Sequence, residues 1–181
     1  MKQEYARVAC IFNDGTILNG QQSLSPEFIK GTYVGYDVNC KEAWEKCTGD
    51  LSIIVAVLDE GLMYTHEDLK DNMWVNPLET EVGGNTDADG NGYRGDRHGY
   101  NFVSDTGLIS WGDPGDSGHG THVASTIAAV NNNEIGVGGV AGGDGTSDSG
   151  VKIMSCQIFS GNKGATMRAE CNSRRWKYYY K

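Results

Sequence analysis

The chain has 181 residues, formal net charge −9 and 38% apolar residues, enough for one domain with a real core. Residues 167–181 hold five basic side chains against Glu170, so the acidic excess lies in the rest of the chain. That argues against a nucleic-acid surface and suits loops that hold cations. No apolar run is long enough for a membrane span, the longest being Ile53 to Leu58. Met1 to Ala6 leads into no apolar stretch of the signal-peptide kind. The five cysteines show neither metal-binding spacing nor a disulfide framework.

In chain order, residues 1–38 are turn-rich and read as a lead-in. Asn39 to Lys46 reads as a short helix with Asn39 as its N-cap and Gly49 beyond its end. Leu51 to Leu58 is an unbroken, β-branched-rich run closed by Asp59, which predicts a strand buried on both faces of a parallel sheet. Residues 76–118 are rich in Gly, Asp and Asn, with a brief strand-like stretch at Tyr100 to Val103. A loop of that length inside a domain is usually functional or stapled by a metal. His119 to Val130 is helical by the spacing of Val123, Ile127 and Val130, and Ser117 can cap it. A Gly-rich stretch, 136–150, then leads to a second buried strand, Val151 to Phe159. Strand, helix, strand is the grammar of an α/β fold.

Asp59 stands at a strand's carboxyl end, where open α/β sheets place their ligand sites. Alone it would read as a turn residue or a cap. His119-Gly120-Thr121-His122-Val123-Ala124 opens an apolar helix and presents an imidazole beside small residues. An Asp that fixes the tautomer of a His acting as general base makes two-thirds of a Ser-His-Asp triad.

These blocks together carry a family resemblance. Val55-Ala56-Val57-Leu58-Asp59 with His66-Glu67-Asp68-Leu69, and His119 through Ile127, resemble the aspartate and histidine regions of the subtilisin-like serine proteases. Ala43-Trp44 with Gly49, and Ile135-Gly136-Val137 with Gly139-Val140-Ala141, extend the likeness over roughly residues 30 to 162. Residues 5–30 resemble the lead-in of larger bacterial members. The resemblance implies a partial, doubly wound parallel α/β sheet with helices on both faces, over residues 39–166, stopping before the last strands. It implies that Asp59 orients His119 as general base, that His122 and His66 are structural, and that the parent is a secreted endopeptidase acting on proteins or peptides. Glu60 departs from the family, which usually has a small residue there.

Calcium is the second theme. Asp87-Ala88-Asp89-Gly90-Asn91-Gly92-Tyr93 reproduces the first seven positions of an EF-hand loop, with Asp96 as a further candidate ligand. His98 stands at position 12 and no helices flank the loop, which argues against a true EF-hand and for another kind of calcium loop, and the same residue types also build a plain turn. The resemblance alone implies a second calcium site, from Asp68, the Asn133 side chain and the carbonyls of Asn131, Ile135 and Val137.

Other signals are set aside. Gly136 to Ala141 fits a relaxed dinucleotide pattern but follows a helix and precedes a loop, the reverse of the required context. His119 and His122 lack the spacing of a zinc protease. Gly145-Thr146-Ser147 looks like the family's nucleophile segment, yet Asp148-Ser149-Gly150 follows it and no helix begins there. Ser147 therefore reads as a loop serine. The expectation is a chain without the family's nucleophilic Ser and oxyanion Asn, inactive by itself. The abrupt change at residues 167–181 reads as an aberrant basic end of the kind a frameshift produces.

Overall fold

The computed structural model describes residues 38–165. The lead-in at 1–37 and the basic segment at 167–181 lie outside the described residues. The first helix, α1 (Cys40–Trp44), is shorter than the sequence predicts. Asn39 occupies its N-cap position in the left-handed conformation (φ 54°), and its side chain makes no capping hydrogen bond. The Trp44 indole Nε1–H donates to the Val140 carbonyl at 2.8 Å and ties α1 to the segment that follows the long helix. Gly49 (φ 137°) is required where the chain passes Ala141, because a Cβ there would lie 2.7 Å from that carbonyl oxygen.

Strand β1 (Ile54–Glu60) follows, then a 3₁₀ turn (Lys70–Asn72), β2 (Gly99–Asn101), α2 (His119–Ala128), β3 (Lys152–Ser160) and a short β4 (Lys163–Gly164). The sheet order is β1-β3-β2, all parallel, with β4 antiparallel to β3. β3 is the centre, and the alternation of its side chains sorts the core into two layers. On one face Ile153 packs with Val57, Leu62, Leu69, Met73 and Ala124 and Ala128 of α2. On the other, Met154 and Cys156 meet Trp74, Tyr100 and Phe102. Tyr93, Tyr100 and Phe102 form edge-to-face pairs with centroids 4.8 to 5.8 Å apart. Each fully buried Leu or Ile here contributes about 1.5–3 kcal/mol of transfer free energy.

Two expectations change. β1 is not buried on both faces: of its seven residues only Val57 is buried, and Leu58 remains 45% exposed. Its one sheet neighbour among the described residues is β3, and none of them pairs with its other side. The long helix stops at Ala128 rather than Val130, because Ala129 turns extended (ψ 139°). The segment 139–141 then donates to the helix's last free carbonyls: Val140 N–H to Thr126 at 2.9 Å and Ala141 N–H to Ile127 at 2.8 Å. No helix among the described residues is long and apolar enough to cross a membrane.

Candidate active site

The pairing of β1 with β3 runs in register to Asp59, opposite Gln157, and shifts between Asp59 and Glu60. A bulge of this kind bends the strand and re-aims its side chains. The Asp59 carboxylate faces the first residue of α2, with oxygens 2.9 and 2.8 Å from His119 Nδ1. Asp59 Oδ1 also accepts the Glu60 backbone N–H at 2.7 Å, which fixes the carboxylate's rotation.

Small residues allow this approach. A Cβ on Gly120 would lie 2.5 Å from the Glu60 carbonyl oxygen, and one on Gly61 would lie 1.4 Å from that of Ser110. Thr121 Oγ1 accepts the Met63 N–H at 2.9 Å and holds the first turn of α2 to the chain leaving β1. The preceding loop is anchored to the end of β3: Asp113 accepts from Ser110 Oγ at 2.6 Å and from Ser160 Oγ, and Asp116 accepts from the Gly161 N–H at 2.7 Å.

The His119 side chain is 62% exposed, whereas that of Asp59 is 15% exposed. A carboxylate can only accept, so the geometry assigns the Nδ1 proton to the Asp59 bond and leaves Nε2 with a free lone pair facing solvent. The hydrogen bond from Asp59 is the main influence raising the His119 pKa above its ordinary 6.5. The negative charges of Asp59 and Glu60 add to it, against slight desolvation.

Ser117 was expected to cap α2. Gly118 takes that position instead, in the left-handed conformation (φ 79°), and Ser117 donates both N–H and Oγ–H to the Glu60 carboxylate. His122, one turn further along α2, is exposed. His66 Nδ1 accepts the Asp68 N–H at 3.2 Å. Ser147 is exposed in a loop held beyond the far end of α2, where Asn131 Nδ2 donates to the Gly143 carbonyl and Asn132 Nδ2 to that of Asp144. A ten-residue helix spans about 15 Å, so Ser147 and His119 sit at its opposite ends.

The Asp/Asn/Gly loop folds around its own carboxylates. Asp87 Oδ1 and Asp89 Oδ1 accept the Asn91 N–H, and Asp87 Oδ2 accepts that of Gly92. Asn91 Nδ2 donates to Asp89 and Asp96, each at 2.9 Å, and its Oδ1 accepts the Tyr93 N–H. Asn76 Nδ2 bridges the same two acids. Asp96 is fully buried, and its pKa is raised to about 6, by desolvation first and then by the charges of Asp89 and Glu79.

Glu79 was not among the residues expected here. It is completely buried; its Oε1 accepts the Ala88 N–H at 2.7 Å, and its Oε2 has no hydrogen-bond partner. Carboxylate oxygens of Glu79, Asp87 and Asp89 lie within 4.8 Å of one another. Two oxygens across a bound calcium are at most about 5 Å apart, so these groups fit around one ion. A signal was present in Glu79-Thr80-Glu81, but nothing in the sequence singles out one of the two glutamates.

The second expected calcium loop differs. Asp68 is buried, and both its oxygens are satisfied by protein donors, Asn133 Nδ2 and the Val137 N–H, each at 2.8 Å. Asn133 Oδ1 accepts the Ile135 N–H, and the Asn131 side chain turns to Gly143. Asp68, Asn133 and Val137 are brought together around one carboxylate, and desolvation raises its pKa.

Residues 50–174 match the model of the subtilase family. The chain is 37% identical over 113 residues to subtilisin-like protease 1 of Plasmodium falciparum, covering 62% of this chain and 15% of that protein. It is 44% identical over 110 residues to the Plasmodium berghei protein of the same name, covering 60% and 16%. To the halolysin-like extracellular serine protease Nep of Natrialba magadii it is 31% identical over 145 residues, covering 74% and 23%. The chain thus corresponds to less than a quarter of each of these relatives. With the family's model matched over more than half of its length, the chain belongs to the subtilase family.

Proposed function

We propose that this chain carries the orienting carboxylate and the general base of a serine peptidase, Asp59 and His119, for hydrolysis of peptide bonds in protein substrates. The observation that carries the reading is the 2.8 Å contact from His119 Nδ1 to Asp59, which leaves Nε2 exposed. In acyl transfer Nε2 takes the proton of a serine hydroxyl as the oxygen attacks the carbonyl carbon, and later gives it to the leaving amine. Asp59 holds the tautomer and stabilises the imidazolium formed in between. Membership of the subtilase family supports serine-type protease function. No serine of the described residues is assigned as nucleophile: Ser117 donates to Glu60, and Ser147 lies at the wrong end of α2. The 181 residues by themselves are therefore expected to be inactive. The relatives named as extracellular proteases favour a secreted parent.

Fluorophosphonate labelling tests the reading, applied to the 181-residue chain and to the product of the full coding region, each beside its His119→Ala variant. Labelling of the full product that His119→Ala abolishes supports it. Labelling of the 181-residue chain itself contradicts a nucleophile outside these residues, and labelling indifferent to His119 removes the base.

A second reading is favoured by Glu79, whose buried, unpartnered oxygen faces two other carboxylates. We propose that Glu79, Asp87, Asp89, Asn91 and Asp96 hold a calcium ion, with Tyr93 offering its carbonyl. The ion would neutralise clustered carboxylates and fasten the 76–98 loop, a structural rather than a chemical service. Asp68, Asn131, Asn133, Ile135 and Val137 remain the candidates for a second ion, with weaker support because Asp68 is already satisfied.

A further inference from the structure

Glu60 follows Asp59 directly at the end of β1, and its carboxylate is taken up by donors at the start of α2. Its carboxylate accepts the Ser117 N–H at 3.1 Å, Ser117 Oγ–H at 2.9 Å and the His119 N–H at 3.1 Å. These donors flank Gly118, the N-cap of α2, and include the free amide of the first helical residue, His119. The bulge between Asp59 and Glu60 explains how two successive residues of one strand both serve the same helix terminus, since regular alternation would send them to opposite faces. An anion at a helix N-terminus is also favoured by the helix dipole.

We propose that Glu60 is a positioning residue that clamps the first turn of α2 to the end of β1 and so fixes the His119 ring against Asp59. The inference rests on the reading of His119 as general base. Glu60 holds the amides on either side of Gly118 from a distant part of the chain, beside the residue that His119 must meet. Its negative charge adds to that of Asp59 in favouring the imidazolium. The charged groups facing His119 are Asp59 and Glu60, both from β1. Of the acids in the preceding loop, Asp113 is taken up by Ser110 and Ser160, and Asp116 by Gly161. On α2 itself, His122 lies one turn away.

The test is NMR on the 181-residue chain: titration of the histidine Cε1–H signals and exchange of the Ser117 and His119 amides. Glu60→Ala is expected to speed exchange of those amides about tenfold, the loss of hydrogen bonds to a charged acceptor. Glu60→Gln, which keeps the shape and an acceptor, is expected to restore most of that protection. It should nevertheless lower the His119 midpoint, more at low salt than at high salt. Unchanged exchange of both amides in Glu60→Ala overturns the clamp. If Glu60→Ala does not fold, Glu60→Asp, which keeps the charge on a shorter side chain, decides: exchange as slow as in wild type overturns the clamp. Asp59→Asn separates the two readings: if it leaves the His119 midpoint where it was, the base assignment fails, while the exchange data still judge Glu60.

Discussion

At the scale of single residues, the Asp59–His119 contact makes a pH-dependent prediction whose sign follows from the direction of the shift. The folded His119 pKa is raised, chiefly by the Asp59 hydrogen bond. A raised histidine contributes stability that is fully present below its unfolded value, about 6.5, and is lost as pH rises through the folded value. Thermal denaturation of wild type and Asp59→Asn should therefore differ most below about pH 6.5 and progressively less as pH rises through the raised folded value. A gap that widens with pH would mean that the pair is not made in solution. His119 is largely exposed, so added salt should narrow the gap. Both residues were legible in the sequence because each has a local mark: an acid closing an apolar strand, and a histidine opening an apolar helix. Glu60 carried no such mark. Its role arises from a register shift against β3, nearly a hundred residues away, which no local pattern displays.

At the scale of elements, the junction of β1 and α2 depends on glycines that sequence patterning alone would replace by alanine. Gly120→Ala should gain about 1 kcal/mol of helix propensity. The new Cβ, however, would lie 2.5 Å from the Glu60 carbonyl oxygen, a backbone atom that cannot step aside. Overpacking of this kind costs about 1–3 kcal/mol, so the net effect should be destabilising. Chemical denaturation should show a lower midpoint with little change in slope, and an unchanged or higher midpoint would mean that α2 stands further from β1. The acidic loop is the other element whose design was half legible. The spacing of Asp87, Asp89 and Asn91 announced an oxygen-rich turn, whereas Glu79 reaches it from the opposite side through the bend at Asn76. Terbium luminescence sensitised by Tyr93 should report the site, and Glu79→Gln should weaken the ion's binding at least tenfold. Equal affinity in the variant would leave the loop as a turn held only by its own amides. Asp144, whose carboxylate is tied up by the Thr146 N–H and Oγ–H in an exposed loop, serves as the control acid.

At the scale of the whole molecule, the described residues make a sheet with an uneven distribution of burial. β3 was expected as a buried strand and is one, with five consecutive buried residues from Ile153 to Gln157. β1 was expected to be equally buried, and its composition gave no hint of a difference, because an apolar β-branched run looks the same at the centre and at the edge of a sheet. Among the described residues it pairs with β3 alone, with Leu58 45% exposed and Ile53, just before the strand, 52% exposed. A strand with an open hydrogen-bonding side and uncovered apolar side chains is a template for pairing with another chain. We therefore expect the 181-residue chain to self-associate at micromolar concentration, with sedimentation coefficients that rise with loading. Leu58→Lys places a charge on the exposed surface of β1 without touching Val57, the strand's one buried side chain, and should shift the chain towards monomer while leaving the far-UV spectrum unchanged. Full calcium occupancy should not have that effect, since the 76–98 loop packs near β2, on the far side of β3 from β1. A chain that stays monomeric at high concentration without the substitution would show that the β1 edge is covered in solution.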